Sequence, residues 1–263
     1  MEPLQPDRSY HIFNHANGFE NIFRIEANFV YFLEKYRLFI SPIAETYAYC
    51  LMPNHFHLVV RIRKRETIEA LIRINNDPSI RYNFSKVSSF DTEMSQVSNF
   101  GKVISDGSNF GKVISDGSNF GKVISVDKGM SKVSNFGKVI KISDREIEKY
   151  LSKQFANLFS CYTQSFNKVY HRKGSLFIKN FKREPISDKI YFLNAIVYTH
   201  RNPIHHGFRE KYQDWEYSSY SDIVGGVCDL TEVSKLLTMT DGLESFKEMH
   251  RHSLDDFTTD CDL

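Results

Sequence analysis

The unit SNFGKVISDG stands at 98–107 and again, unchanged, at 108–117; SNFGKVIS follows at 118–125 and SNFGKVI returns at 134–140. Shorter fragments, SKVSSF at 85–90 and SKVSNF at 131–136, look like eroded edges of the same tract. Solenoid units run to roughly 20 residues or more, because each must add a whole supersecondary element to a stacked core. Ten residues repeated so few times cannot do that. The Asp-Gly pairs leave a small β-meander open, but a flexible Gly/Ser-rich insertion suits the composition better. Residues 85–143 are therefore expected to be an insert. The folded domain must come from its flanks, 1–84 and 144–226, with 227–263 forming a C-terminal tail or helix.

The flanks carry enough pattern for that. YHIFNHA (10–16) reads as a strand closed by Asn17-Gly18, and EANFVYFLEKYRLFI (26–40) has the apolar spacing of a helix face, stopped by Pro42. ETYAYCLM (45–52) and HFHLVVRIR (55–63) read as two strands joined at Pro53-Asn54. Beyond the repeats, Ser143 with Glu146 makes a capping box. It opens a long amphipathic helix with apolar residues at Ile147, Leu151, Phe155, Leu158, Phe159 and Phe166. GSLFIKNFKREPI (174–186) reads as an extended, paired segment. SDKIYFLNAIVYTHR (187–201) reads as a shorter helix capped by Ser187 and ended by Asn202-Pro203, with Ile190, Leu193 and Val197 as its buried stripe. Hairpin pairing within strand-helix-strand-strand-helix-strand implies an antiparallel sheet backed by helices, an α+β architecture.

Bulk properties narrow the function classes. No apolar run approaches the roughly 20 residues that span a bilayer, and the first residues lack the basic-then-apolar pattern of a signal peptide. Four scattered cysteines, without a C-x-x-C pair, argue against a zinc ribbon or a disulfide framework and fit a reducing cytoplasm. The net charge of +2 announces no nucleic-acid binder, but its distribution is uneven. KVYHRKGSLFIKNFKR (168–183) holds six Lys/Arg and no acid, with aromatic residues interleaved. That composition suits a phosphate backbone with stacked bases and equally suits a solvated basic face.

The chemistry concentrates in LMPNHFHLVV (51–60). Strand alternation puts His55, His57 and Val59 on one face and Phe56, Leu58 and Val60 on the other. The two imidazoles then sit about 7 Å apart along the strand, close enough to chelate one cation. No third histidine or cysteine lies at short spacing, which disfavours a structural zinc site. A mixed N/O site with open positions, suited to Mg²⁺ or Mn²⁺ and a phosphate ligand, remains. On the helix at 187–201, Tyr191, Asn194, Tyr198 and Asn202 form a polar stripe, provided the last turn survives Pro203. A tyrosine beside a cation-bound phosphate can act as a nucleophile on a phosphodiester.

With those residues in view, YAYCLMPNHFHLVV (47–60) resembles the signature of the single-tyrosine HUH transposases, and YTHRNPIHHG (198–207) resembles their second motif. GSLFIKNFKREPI and DWEYSSY (214–220) resemble the REP-associated tyrosine transposases in particular. The resemblance implies a ferredoxin-like α+β fold of HUH nuclease type and an Mg²⁺- or Mn²⁺-dependent nuclease and strand-transferase activity. The DNA substrate it implies is single-stranded and hairpin-associated. By position, His55 and His57 become metal ligands, Asn202 the candidate third ligand and Tyr198 the nucleophile. Arg172, Lys173, Lys179, Lys182 and Arg183 are candidate phosphate contacts, and Arg201 a contact to DNA or to the scissile phosphate. Relatives occur as dimers and as monomers, so a homodimer stays open. The repeat insert departs from the family pattern. Three alternatives remain: a hairpin-binding protein without catalysis, a replication-initiator-like HUH nuclease, and a metal-binding structural protein with no DNA partner.

Overall fold

A computed structural model describes residues 2–76, 141–226 and 229–251. Residues Met1–Ile72 and Asp144–Leu263 form one compact unit and Arg73–Ser143 a second. Nearly all of the repeat tract lies outside the described residues.

The first unit is built from β1 (Ser9–His15), α1 (Glu26–Phe39), β2 (Ala44–Met52), β3 (His55–Ile62), α2 (Arg65–Asn76, its last turn entering the second unit), α3 (Asp144–Val169), β4 (Lys182–Ile186) and α4 (Lys189–His205). Three short helices follow: α5 (Ser219–Gly225), α6 (Val233–Met239) and α7 (Leu243–Arg251). The four strands lie in the order β2-β3-β1-β4, and every neighbouring pair is antiparallel. That is an α+β, ferredoxin-like arrangement, in which β3 is inserted between β1 and β2.

Both faces of the sheet are covered. On one, Phe56 packs against Phe32 of α1 and Phe159 of α3, with ring centroids 5.4 and 5.7 Å away. On the other, Ala48 and Val59 meet Phe192, Ala195 and Ile196 of α4. Ile223, Leu236 and Phe246 from α5, α6 and α7 close the same cluster. This double cover explains why β3 is buried at nearly every position rather than at alternate ones. Two helices of the C-terminal segment thus contribute to the core. Residues 252–263 lie outside the described residues. Among the described residues, no helix is long and apolar enough to cross a membrane.

The α4 helix departs from its sequence reading in three ways. Its N-cap is Asp188, whose Oδ1 accepts from the Tyr191 backbone N–H at 2.8 Å; Ser187 instead donates to the same carboxylate. Ile190 is 74% exposed, because the buried face runs through Phe192, Ala195 and Ile196. The helix also continues through Asn202-Pro203 to His205. Proline forfeits one backbone bond there. Asn202 is nonetheless held helical by side-chain bonds to β3 and to the Tyr198 carbonyl.

A chain of buried imidazoles fixes α4 from behind. His250 Nδ1 faces the Phe246 carbonyl at 2.8 Å, so it must donate, and His250 Nε2 is left as the acceptor for His200 Nδ1–H at 2.9 Å. His200 Nε2 then accepts from the Ser219 hydroxyl at 2.8 Å, while Ser219 Oγ receives the Tyr49 N–H. The chain ties α4 to α5, α7 and β2, and burial lowers both imidazole pKa values so that the rings are neutral.

Candidate functional site

The site is assembled by strand register. Antiparallel partners point to the same face, and β1 pairs with β3 so that His15 opposes His55 and Phe13 opposes His57. On its other side β1 pairs with β4, placing Glu184 opposite His11 and Lys182 opposite Phe13. Alternation therefore gathers His11, Phe13, His15, His55, His57, Lys182 and Glu184 on the face that α4 covers.

Tyr198 and Asn202, one helical turn apart on α4, meet this face within the same chain. The Tyr198 ring stands edge-on to His57 at 5.5 Å between centroids and to His11 at 5.8 Å. It is packed against Phe13 and is 9% exposed. Asn202 Oδ1 lies 3.0 Å from His55 Nε2, and its Nδ2 donates to the Tyr198 carbonyl at 3.3 Å.

Donor and acceptor roles around His55 are informative. Its Nδ1 lies 2.8 Å from Asn54 Oδ1, so a proton there is donated to that oxygen. With the proton on Nδ1 the ring donates to Asn54 and turns its Nε2 lone pair toward the Asn202 amide oxygen; with the proton on Nε2 it donates to that oxygen instead. Burial pushes the His55 pKa down to about 4, so the ring is neutral and either nitrogen can serve as a metal ligand. Adjacent ligands on an octahedral Mg²⁺ at 2.0–2.1 Å are about 3 Å apart.

His57 is oriented by His11, whose Nε2 lies 3.0 Å from His57 Nδ1. Burial lowers both rings, His11 to about 4 and His57 well below its ordinary value, so both are neutral as metal ligation requires. Beyond His11, Glu184 Oε2 lies 4.0 Å from His11 Nδ1 and accepts from the Tyr191 hydroxyl at 3.4 Å. Among the described residues, no three His, Cys, Asp or Glu side chains converge as a ligand set. The Asn202 amide oxygen, 3.0 Å from His55 Nε2, is the candidate third donor beside His55 and His57. The donor set fits a hard divalent cation with open positions.

The basic candidates do not share one surface. Lys182 is exposed on the same sheet face as the histidines, whereas Arg183 points to the opposite face, half-buried over Phe181. Lys179 lines the same side as Arg183. Arg172 is engaged with Glu20 at 2.7 Å and with the Ser175 carbonyl at 3.0 Å, bracing the turn after α3; Lys173 beside it is exposed. Arg201 is half-buried on α4. The structure thus brings together His55, His57, Tyr198 and Asn202 and scatters the cations.

Sequence reading missed His11, His15 and Glu184. A signal existed: His11, Phe13 and His15 alternate in YHIFNHA with the same period of two as His55 and His57. What joins the two patterns is the β1–β3 register, which no local spacing reveals.

No protein-family model matches the chain, and no curated protein matches it. Among solved structures, the chain is similar to a REP-associated tyrosine transposase bound to a REP hairpin. The two are 12% identical, with 88% of this chain and 87% of that chain covered and a TM-score of 0.40.

Proposed function

We propose that this chain is a DNA transposase of the single-tyrosine kind. It cleaves single-stranded, hairpin-associated DNA through a transient 5′-phosphotyrosine and rejoins strands by the reverse step. One observation carries the reading: Tyr198 and Asn202 of α4 meet the His55–His57 pair of β3 within one chain, the Tyr198 ring 5.5 Å from His57 and the Asn202 oxygen 3.0 Å from His55.

In this reading His55 Nε2, His57 and the Asn202 amide oxygen hold Mg²⁺ or Mn²⁺. When bound, such a cation neutralises charge on a scissile phosphate and helps to position it. His11 holds the His57 ring, and Asn202 is held by its own bond to the Tyr198 carbonyl. The Tyr198 phenol oxygen attacks phosphorus and gives up its proton. The bond from phosphorus to the preceding 3′-oxygen breaks, and that oxygen is protonated as it leaves. One phosphodiester replaces another, so a later 3′-hydroxyl can reverse the step without an external energy source. Lys182, exposed on the same sheet face, supports this reading as a contact to the DNA backbone.

The test is an adduct assay. A labelled single-stranded hairpin oligonucleotide with Mn²⁺ should yield a denaturation-resistant protein–DNA adduct with wild type and none with Tyr198→Phe. Equal behaviour of the two proteins rejects Tyr198 as the nucleophile. One observation favours a second reading, a hairpin-binding protein without catalysis: the Tyr198 ring is only 9% exposed and packs against Phe13. Tight hairpin binding with no adduct at any Mn²⁺ concentration would select it.

A further inference from the structure

On the opposite face of the sheet from Tyr198, a groove of about 470 Å³ runs between α3 and the segment leading into β4. Its floor is aromatic. Phe177 and Phe181 flank Phe159, with ring centroids 5.1 and 5.4 Å from it. Its α3 wall carries the small side chains of Ser152, Ala156 and Ser160 beside the half-buried Phe159 ring, while Phe181 is stacked on Phe155 and Phe177 is buried. Two cations, Lys179 and Arg183, line it, and no carboxylate does.

Arg183 is the informative member. Its guanidinium carbon lies 5.1 Å over the Phe181 ring, and its Nη1 reaches Ser152 Oγ at 3.4 Å. Its Nε is buried with no acceptor among the described residues. A half-buried guanidinium with unspent donor capacity, above phenylalanine rings and without a lining acid, suits a ligand that combines a flat ring with an anion. The volume falls in the range of small-ligand pockets.

We propose that this groove seats one unpaired nucleotide, its base against the half-buried Phe159 ring and its phosphate against Lys179 and Arg183. The inference deepens the single-stranded DNA reading and rests on it for the identity of the strand. The placement makes the two sites continuous. Asn14 lines the groove while its neighbours Phe13 and His15 face the histidine site, and Arg183 lines it while Lys182 and Glu184 face that site. β4 is an edge strand, so a single strand of DNA rounding that edge occupies the groove and Tyr198's face at once. The groove is then a reader of a base near the cleaved phosphate rather than part of the cleavage machinery.

The test measures binding of a fluorescent short single-stranded oligonucleotide and of a short duplex, in the full chain without Mn²⁺. Ala156→Trp, at an exposed α3 position, fills the groove from its wall, and Arg183→Gln removes the charge. Both should weaken single-strand binding about tenfold or more, the worth of one base–aromatic stack, and leave duplex binding unchanged. Ala156→Ser should bind like wild type. Unchanged single-strand affinity in Ala156→Trp overturns the inference, as does an equal loss for the duplex. The outcomes separate the two proposals. A groove-dependent affinity without any adduct keeps this seat and rejects the nuclease; an adduct with groove-independent affinity does the reverse.

Discussion

The Asn202 amide oxygen and the His55 Nε2 nitrogen are 147 positions apart in the chain and 3.0 Å apart in space. In the tautomer that donates from Nδ1 to Asn54, both atoms offer lone pairs to the cation of the proposed reading. Isothermal titration of the chain with Mn²⁺ should therefore find one site. His55→Ala, His57→Ala and Asn202→Ala should each weaken it by an order of magnitude or more, while Asn202→Asp, which adds charge, should tighten it. An Asn202→Ala protein that binds Mn²⁺ as wild type does would remove the amide from the ligand set.

His11 Nε2 lies 3.0 Å from His57 Nδ1, which leaves His57 Nε2 for the cation of the proposed reading. Partners of that kind fix ring orientation, and their loss costs roughly 10–100-fold in metal affinity. His11→Ala should fall in that range by the same titration. His11→Gln, whose amide oxygen can accept from His57, should recover much of the loss. Equal affinities for both variants and wild type would make His11 a packing residue only.

Acid should unfold this protein early. Burial holds His11 and His250 at about 4, against 6.5 for a free ring. Between those values the unfolded chain binds more protons than the folded one, so stability rises with pH. Their contribution is complete above pH 6.5 and is lost as the pH falls toward 4, about 3 kcal/mol for one such ring. His250→Phe should cost about 1–3 kcal/mol at neutral pH, since His200 loses its acceptor. It should also flatten the decline measured by thermal melts across that window. A slope identical to wild type would clear His250 of any share in it.

Phe56 and Ile190 offer a contrast in packing. Phe56 is fully buried between α1 and α3, and Ile190 is 74% exposed on α4. Phe56→Ala should lower stability by about 3–5 kcal/mol in denaturant titration, whereas Ile190→Ala should leave the midpoint unmoved. A large effect at Ile190 would mean that its surface is covered in solution.

The α4 cap gives a smaller, separable effect. Asp188→Ala removes the acceptor for the Tyr191 N–H and should lower the melting temperature by a few degrees, with Ser187→Ala shifting it less. The reverse order would restore Ser187 as the cap.

Sequence alone determined the elements: the strands at 10–16, 45–52 and 55–63, the helices at 26–40 and in the second flank, and the alternation that sets His55 and His57 on one face. Such features rest on local periodicity and turn chemistry, which are written in consecutive residues. The tertiary structure decided what those periods could not reach. The β1–β3 register brought His11 against His57, and side-chain bonds from Asn202 carried α4 through Pro203. Strand alternation across β4 divided a basic stretch that looks continuous in sequence, sending Lys182 and Arg183 to opposite faces. Each of these depends on a contact between residues far apart in the chain, where the energy of pairing and burial, not local preference, selects the outcome.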